Sequence, residues 1–244
     1  MQYIPQIAFL VIVGIFGYFI FGRIRQISKN IKLGKSIDLS GNKADRWKNM
    51  LLIAFGQKKM FKRPLPAFLH LLIYVGFVLI NLEVLEIIID GIFGTHRIFA
   101  PVLGSIYTAM INFFEFLALG VLISCVVFLL RRNVAKVQRF HKVEMKGWPT
   151  LDANLILVIE IVLMAAILGM NAADQVLQER GIGHYTETGS FFISSTLFSF
   201  LQNLDSDLLV LVERGAWWGA YRRDFCFRTF RYLFKTLTYL HGIP

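Results

Sequence analysis

Ionisable side chains that could do chemistry lie inside long apolar runs of this sequence. His70 falls in the segment Pro-Ala-Phe-Leu-His-Leu-Leu-Ile-Tyr, about one helical turn into such a run. An imidazole in this position could ligate haem iron, which in a helical bundle takes one histidine from each of two helices. It could equally bond a backbone carbonyl or a lipid headgroup. His96, His141 and His184 fall in the connections between runs, where we expect them to be solvated.

Four glutamates also lie within the apolar runs: Glu83, Glu86, Glu115 and Glu160. Carboxylates are costly inside a bilayer, so they are candidates for function. They could line a proton path or a quinol pocket, because quinol oxidation releases protons that need acceptors. Alternatively, Glu86 approaches the headgroups together with Asp90, and the other three bond across helices. The polar partners for such bonds are Asn81, Asn112 and Ser124.

The chain has two cysteines, Cys125 and Cys226, which are far apart and form no C-x-x-C pair. Neither a disulfide framework nor a cysteine-ligated zinc or iron–sulfur site can be built from them. Any metal held by this chain must therefore be ligated by histidine, and His70 is the candidate.

The runs that carry these residues are long enough to cross a membrane. With 56% hydrophobic and 17% charged residues, the chain does not have a soluble composition. Four stretches lack Lys and Arg over the roughly 20 residues that cross about 30 Å of hydrocarbon. They are approximately 3–22, 66–92, 103–130 and 153–171. The sequence therefore predicts an all-α integral membrane bundle, with a short or damaged fifth helix from about residue 207.

The formal charge of +10 is concentrated in two loops. Residues 23–64 carry twelve Lys and Arg against two Asp, and residues 131–152 carry six against two acidic residues. Short basic loops stay in the cytoplasm, so we expect the N-terminus outside. This placement explains the charge without a nucleic-acid partner.

A short amphipathic helix is predicted inside the first basic loop, over residues 43–55. Apolar residues recur there at helical spacing, with Asn42 as a candidate N-cap and Gly56 as a candidate stop. The helix could rest on anionic headgroups at the interface. The alternative is that it docks a cytoplasmic partner or domain.

Four segments resemble a known family. They are Arg-Trp-Lys-Asn-Met-Leu at 46–51, Gly-Gln-Lys-Lys-Met-Phe-Lys-Arg-Pro at 56–64, YVGFVLINLEVLEIIIDGIFGTHRIF at 74–99 and Met-Lys-Gly-Trp-Pro at 145–149. They look like the membrane part of bacterial iron–sulfur oxidoreductases, in which a region resembling heterodisulfide reductase is fused to a nitrate-reductase-gamma-like cytochrome b region. The resemblance covers about residues 1–218.

The resemblance implies a five-helix haem b anchor in the bacterial inner membrane that exchanges electrons with menaquinol. It also implies a cytoplasmic domain or subunit that carries [4Fe–4S] clusters, and it matches His70 to a haem ligand of the family. The sequence departs from the family because it has no cluster cysteines and because the fifth helix loses its apolar pattern after Trp218.

Residues 219–244 form an atypical basic and aromatic tail. Back-translated and read one nucleotide later, Ala220 onward can give an apolar helix with histidines and an S-K-H-L-H segment, as the family would have. We therefore expect an out-of-frame tail and a truncated fifth helix. The same tail could still form a basic amphipathic helix, since Asp224, Arg228, Arg231 and Lys235 recur at helical spacing.

The sequence therefore predicts the membrane electron-transfer anchor of an iron–sulfur oxidoreductase, present as an incomplete fragment with little or no turnover of its own. The alternative is a non-catalytic anchor whose basic loops recruit a soluble partner. A transporter is a third hypothesis, suggested by the buried carboxylates. It is disfavoured by the few spans and by the lack of repeat symmetry.

Overall fold

The computed structural model describes residues 4–35, 41–56, 61, 63–135, 137, 147–182, 185 and 187–219. All regular secondary structure within these residues is helical, which confirms the predicted all-α class. The helices are α1 (Ile4–Lys32), α2 (Lys43–Asn49) with a π-helical continuation (Met50–Phe55), α3 (Pro64–Phe93), α4 (Ala100–Leu103), α5 (Ser105–Asn133), α6 (Trp148–Glu179), α7 (Ser194–Leu201) and α8 (206–219).

Within the residues that the structure describes, four helices are long and apolar enough to cross a membrane, so the chain is a multi-pass membrane protein. They are Gln6–Lys32, Pro64–Phe93, Ser105–Asn133 and Trp148–Glu179, and each contains one of the four predicted spans or most of it. Two of them extend well past the predicted stretch. α1 continues from residue 22 to Lys32, and α6 continues from residue 171 to Glu179.

Helices α3, α5 and α6 form the core of the bundle, with α5 in contact with both of the others. The buried side chains of α5 include Ile111, Phe114 and Ala118. Gly76 allows α5 to approach α3 closely, because a Cβ at this position would lie 2.5 Å from Cγ2 of Val121. Large apolar side chains on the outward faces of these helices are exposed, as expected for surfaces that contact lipid.

Helix α1 joins this core near its N-terminal end. Phe9 is the buried side chain among the described residues of α1, and it lies over Gly91 of α3. Its ring also meets Trp217 of α8 at a centroid distance of 5.5 Å, and Trp218 at 6.2 Å. The Phe9 ring therefore joins α1 to both α3 and α8.

Helix α2 lies within the loop where a short helix is predicted. Asn42 precedes it with a φ of 49°, but the Asn42 side chain makes no capping hydrogen bond. The helix then widens into the π-helical turn, which ends when the Gly56 amide donates to the Leu51 carbonyl over 2.7 Å. Gly56 has a φ of −76°, so it stops the helix without the left-handed conformation of an ordinary C-terminal glycine cap.

Two helices, α7 and α8, occupy the region after the fourth span. Arg180 secures the turn between them by donating hydrogen bonds to the carbonyls of Gln202 (2.7 Å) and Leu204 (2.9 Å). The start predicted for a fifth helix, about residue 207, lies one residue inside α8. The predicted out-of-frame tail lies outside the described residues, apart from Gly219.

Candidate functional site

Eight buried polar side chains meet at one end of the bundle, and we term them the Arg97 cluster. They come from the C-terminal half of α3, the turn that follows it, the first half of α5 and the C-terminal part of α6. The members are Glu83, Glu86, Asp90, Arg97, Tyr107, Glu115, Asn171 and Asp174. Buried polar groups at this density require hydrogen-bond partners, so the donors around each carboxyl group determine whether it can be charged.

Arg97 lies at the centre of the cluster and uses all three guanidinium nitrogens. Nε donates to Oδ2 of Asp174 over 2.6 Å, Nη1 donates to the Tyr107 hydroxyl over 3.0 Å, and Nη2 donates to Oδ1 of Asn171 over 2.8 Å. The guanidinium carbon lies 5.0 Å from the centroid of the Phe191 ring. Arg97 thus connects the turn after α3 to both α5 and α6.

The turn that carries Arg97 is built around Asp90. Gly94 ends α3 with a φ of 70°, and its amide donates to the Asp90 carbonyl over 2.7 Å. The Asp90 carboxylate accepts from the Thr95 hydroxyl (2.5 Å) and from the amides of Arg97 (2.8 Å) and Ile98 (3.2 Å). These bonds hold Arg97 at a φ of 51°, which is uncommon for a residue other than glycine.

Glu86 accepts hydrogen bonds from two elements. The Tyr107 hydroxyl donates to Oε2 over 2.7 Å, and the Phe99 amide donates to Oε1 over 3.1 Å. Because Tyr107 accepts from Arg97 and donates to Glu86, the three side chains form a directed chain of hydrogen bonds. Glu86 is therefore a fixed acceptor within the protein, and the expected approach to headgroups does not occur.

Glu115 caps the N-terminus of α7. Its Oε2 accepts from the amides of Ile193 (2.9 Å) and Ser194 (3.1 Å), and its Oε1 accepts from the Ser194 hydroxyl. Asn171 also donates to Oε1, over 3.3 Å. Free amides at a helix N-terminus attract negative charge, so a buried carboxylate is stabilised here.

For Glu83 and Glu115, the cross-helix partners predicted from the sequence are wrong. The side-chain amide of Asn81 donates to the carbonyl of Phe77 in its own helix, and Ser124 donates to the Gly120 carbonyl over 2.7 Å. Asn112 instead holds the segment before α7, donating to the Ser190 carbonyl over 3.2 Å. Local bonds to the preceding turn satisfy Asn81 and Ser124 within their own helices.

Glu83 has a carboxyl oxygen without a hydrogen-bond donor among the described residues, as Asp174 does at Oδ1, but the Asp174 oxygen lies beside the His96 ring. Glu83 is 4% exposed, and the oxygen without a donor is its Oε1. Asn171, Arg97, Glu86 and Glu115 are its polar and charged neighbours. A buried carboxyl oxygen without a donor is costly, so the position needs an explanation.

Asp174 links the cluster to His96 and, through His96, to Tyr185. Its Oδ1 lies 3.3 Å from Nε2 of His96, whose ring meets the edge of Tyr185 at a centroid distance of 5.0 Å. The Tyr185 hydroxyl donates to Oε2 of Glu213 in α8 over 3.2 Å. One side of the cluster therefore ends in a contact between α6, the turn after α3 and α8.

Two ionisable groups in the connections have shifted pKa values. Burial opposes the charge on Arg97, but the neighbouring Asp174, Tyr107 and Glu83 together outweigh burial and raise the pKa of the guanidinium above its ordinary value. Burial and the neighbouring Glu213 carboxylate raise the pKa of Tyr185 to about 12. Arg97 is thus a permanent cation and Tyr185 a neutral donor at physiological pH.

Two cavities adjoin the cluster. The larger has a volume of about 410 Å³ and opens between the end of α6, residues 187–190 and α7. Its lining residues are Gln175, Gln178, Glu179, Glu187, Gly189, Ser190, Ser195 and Phe198. Gln178 links it to the cluster by donating to Oδ2 of Asp174 over 3.1 Å. The smaller cavity, about 30 Å³, is bordered by Glu86, His96, Asp174 and Glu213, and it is the size of one water molecule.

Three of the five predicted site residues lie together in the structure, and the other two lie apart from them. Glu83, Glu86 and Glu115 belong to the Arg97 cluster. Glu160 is half-buried on α6 and lies near Cys125, away from the cluster. His70 is exposed on α3, about 20 residues and therefore roughly 30 Å along the helix from Asp90.

Sequence reasoning does not identify Arg97, Tyr107, Asn171 or Asp174 as site residues. In the sequence, Arg97 is the lone basic residue of its connection, and Asp174 lies beyond the predicted fourth span. A usable signal is present, since Asn171 and Asp174 are three residues apart and lie on one face when the helix continues.

Comparison with known proteins gives a distant relative. No family model matches the chain, and no solved structure matches it. The chain is 24% identical over 188 residues to the "Probable iron-sulfur-binding oxidoreductase FadF" of Bacillus subtilis (strain 168). The similarity covers 77% of this chain and 24% of the relative, so the chain spans about a quarter of that protein. It is compatible with an origin among iron–sulfur oxidoreductases.

Proposed function

We propose that this chain is the membrane anchor of an iron–sulfur oxidoreductase, where it passes electrons between menaquinol and cytoplasmic iron–sulfur clusters through haem b. The observation that carries the proposal is the similarity to FadF over 77% of the chain, in a protein whose described part includes four helices able to cross a membrane. The membrane is taken to be the bacterial inner membrane.

The iron–sulfur clusters in this proposal belong to a cytoplasmic domain or subunit. A [4Fe–4S] cluster takes four cysteine thiolates, and this sequence contains two cysteines. Cys125 is buried in the core between the spans. The anchor therefore contributes the membrane side of the electron path, and its basic loops face the partner.

The described residues supply one candidate axial ligand for haem b, which exchanges single electrons when it is bound. The exposed His70 can present its imidazole to such a group. His96 is engaged by Asp174 and lies beyond the opposite end of α3, too far to share a haem with His70. A bis-histidine site thus does not form from the described residues, and in this proposal the second ligand lies outside them.

Quinol oxidation also releases protons, and the Arg97 cluster supports a role in accepting them. Glu83, Glu86 and Glu115 lie together at one end of the spans, beside a cavity large enough for a quinol ring. Gln178 connects that cavity to Asp174. Glu160 lies apart from this cluster, so in this proposal it belongs to a different proton path or to none.

The proposed orientation places the N-terminus and the Arg97 cluster outside, with both basic loops in the cytoplasm. Cysteines introduced singly at Ser28, on the exposed end of α1, and at Glu187 would test it in intact cells. A membrane-impermeant maleimide should label Glu187→Cys and leave Ser28→Cys unlabelled. The reverse pattern would overturn the orientation.

The electron-transfer proposal is tested on the full chain in liposomes supplied with haem b. We expect a reduced-minus-oxidised difference spectrum of haem b that appears on addition of a menaquinol analogue. His70→Ala should abolish haem retention, whereas Phe68→Ala, an exposed neighbour on α3, should retain it. A chain that retains no haem would contradict the proposal, and a normal spectrum in His70→Ala would contradict the ligand assignment.

A second candidate function is a non-catalytic anchor that recruits a soluble partner. The observation that favours it is the exposed apolar surface of α2 and its continuation, where Trp47, Leu51 and Phe55 are each more than half exposed. Lys43 and Arg46 lie on the same short helix. If the chain retains no haem but holds an iron–sulfur protein through this loop, the anchor function is correct and electron transfer through this chain is not.

A further inference from the structure

We propose that Glu83 is the proton-binding residue of the Arg97 cluster, held as a neutral carboxylic acid whose proton exchanges with solvent. The proposal deepens the proton role given above, because it selects one of three clustered glutamates. Its test requires neither quinol nor haem, so its failure would leave electron transfer through the anchor unaffected.

Acidic groups outnumber basic groups among the described side chains of the Arg97 cluster. Five carboxyl groups lie in the cluster, from Glu83, Glu86, Asp90, Glu115 and Asp174, and all are buried. Among the described residues, one guanidinium, that of Arg97, faces them, with His96 at the margin beside Asp174. Charges of one sign are costly when they are buried together, so at least one carboxyl group must be neutralised. A bound proton is the simplest means.

Hydrogen-bond donors are distributed unevenly over these carboxyl groups. Asp174 accepts from Arg97 and Gln178, and Asp90 accepts from two backbone amides and one hydroxyl. Glu86 accepts from one backbone amide and one hydroxyl, and Glu115 accepts from two backbone amides and one hydroxyl. These contacts stabilise ionised carboxylates. Among the described residues, Oε1 of Glu83 has no such donor. Oδ1 of Asp174 accepts no hydrogen bond from them either, but it lies 3.3 Å from Nε2 of His96.

Each element packed around Glu83 contributes a polar or charged neighbour. Glu86 lies on its own helix, Glu115 on α5, Asn171 on α6 and Arg97 on the intervening turn. A protonated Glu83 can donate to a neighbouring carboxylate, whereas an ionised Glu83 would only add repulsion. Glu86 also borders the water-sized cavity that reaches His96 and Glu213, which gives the proton a route toward the surface.

Infrared spectroscopy of the full chain in detergent tests this assignment. The wild-type chain should show the C=O stretching band of a protonated carboxylic acid, and the band should shift to lower frequency in D2O because its proton exchanges. Glu83→Gln should remove that band while helix content is retained, since a neutral amide replaces a neutral acid. Glu115→Gln and Glu160→Gln should keep it.

A band that persists at full intensity in Glu83→Gln would overturn the assignment, as would its absence from the wild-type chain. If Glu83→Gln fails to fold, Glu83→Asp decides the question, because a shorter acid at the same site should move the band without removing it. An unmoved band in Glu83→Asp would assign the proton to another residue and would also overturn the proposal.

Discussion

The Arg97 guanidinium donates from Nε to Oδ2 of Asp174 over 2.6 Å, and this contact joins the turn after α3 to the C-terminal part of α6. The two residues are 77 positions apart in the chain, and each is at least nine-tenths buried. Because Arg97 also donates to Tyr107 on α5, one side chain connects three spans. The same end of the bundle carries the cavity of about 410 Å³ and Glu83, whose Oε1 accepts no hydrogen bond from the described residues.

Removing the guanidinium should strongly destabilise the fold. Arg97→Ala would leave Asp174 buried without its main counter-ion, at a cost of about 3–5 kcal/mol in the free energy of unfolding. Denaturant unfolding in detergent micelles measures this cost. Adding Asp174→Asn to Arg97→Ala should recover part of the loss, because the uncompensated charge is then absent. Arg25→Ala, on the exposed end of α1, is the control and should have little effect.

The four spans of this protein can be predicted from sequence because hydropathy and length alone determine them. The end of α6 cannot be predicted in the same way. Asp174 and Gln178 look like loop residues in the sequence, yet α6 continues through them to Glu179 since Arg97 and Thr188 bind their side chains. A partner 77 residues away is not visible in any local pattern.

The same limitation applies to the candidate site. Glu83, Glu86 and Glu115 can be identified because a carboxylate in an apolar helix is unusual, and that reasoning is independent of tertiary structure. Their individual contacts depend on the segment after the fourth span, where the sequence predicts no helix before about residue 207. Without α7, Glu115 has no helix N-terminus to cap, so sequence reasoning places its partners within the spans.

Loss of the Glu115 carboxylate should release α7. Glu115→Ala removes the acceptor for the amides of Ile193 and Ser194, which should cost about 1–3 kcal/mol locally. Hydrogen–deuterium exchange in residues 193–201 should therefore become faster, and Glu115→Gln should give a smaller increase because one acceptor oxygen remains. Glu160→Ala is the matched control. Unchanged exchange at Ile193 and Ser194 in Glu115→Ala would show that the carboxylate does not cap this helix.

The joint between α1 and the bundle should be sensitive to one methyl group. A Cβ at Gly91 would lie 2.6 Å from the Phe9 ring, so Gly91→Ala must displace Phe9 or α1, at about 1–3 kcal/mol. Gly14→Ala on α1 meets nothing within 4 Å and should be neutral or slightly stabilising. Thermal unfolding followed by tryptophan fluorescence detects the difference, because Phe9 contacts Trp217. Equal midpoints for the two variants would exclude this packing.

Alkaline pH should weaken the contact between Tyr185 and α8. Burial and Glu213 raise the pKa of Tyr185 from 10.0 to about 12, so the folded state favours the neutral phenol. A raised folded pKa contributes stability that is complete below the unfolded pKa and is lost as pH rises through the folded one. The loss should fall between about pH 10 and pH 12. Absorbance titration of Tyr185→Phe should lack a late-titrating tyrosine that the wild-type chain shows, and this variant should lose less stability over the same interval than the wild-type chain. If Tyr185→Phe leaves both the titration curve and the alkaline stability unchanged, Tyr185 ionises freely and does not hold α8.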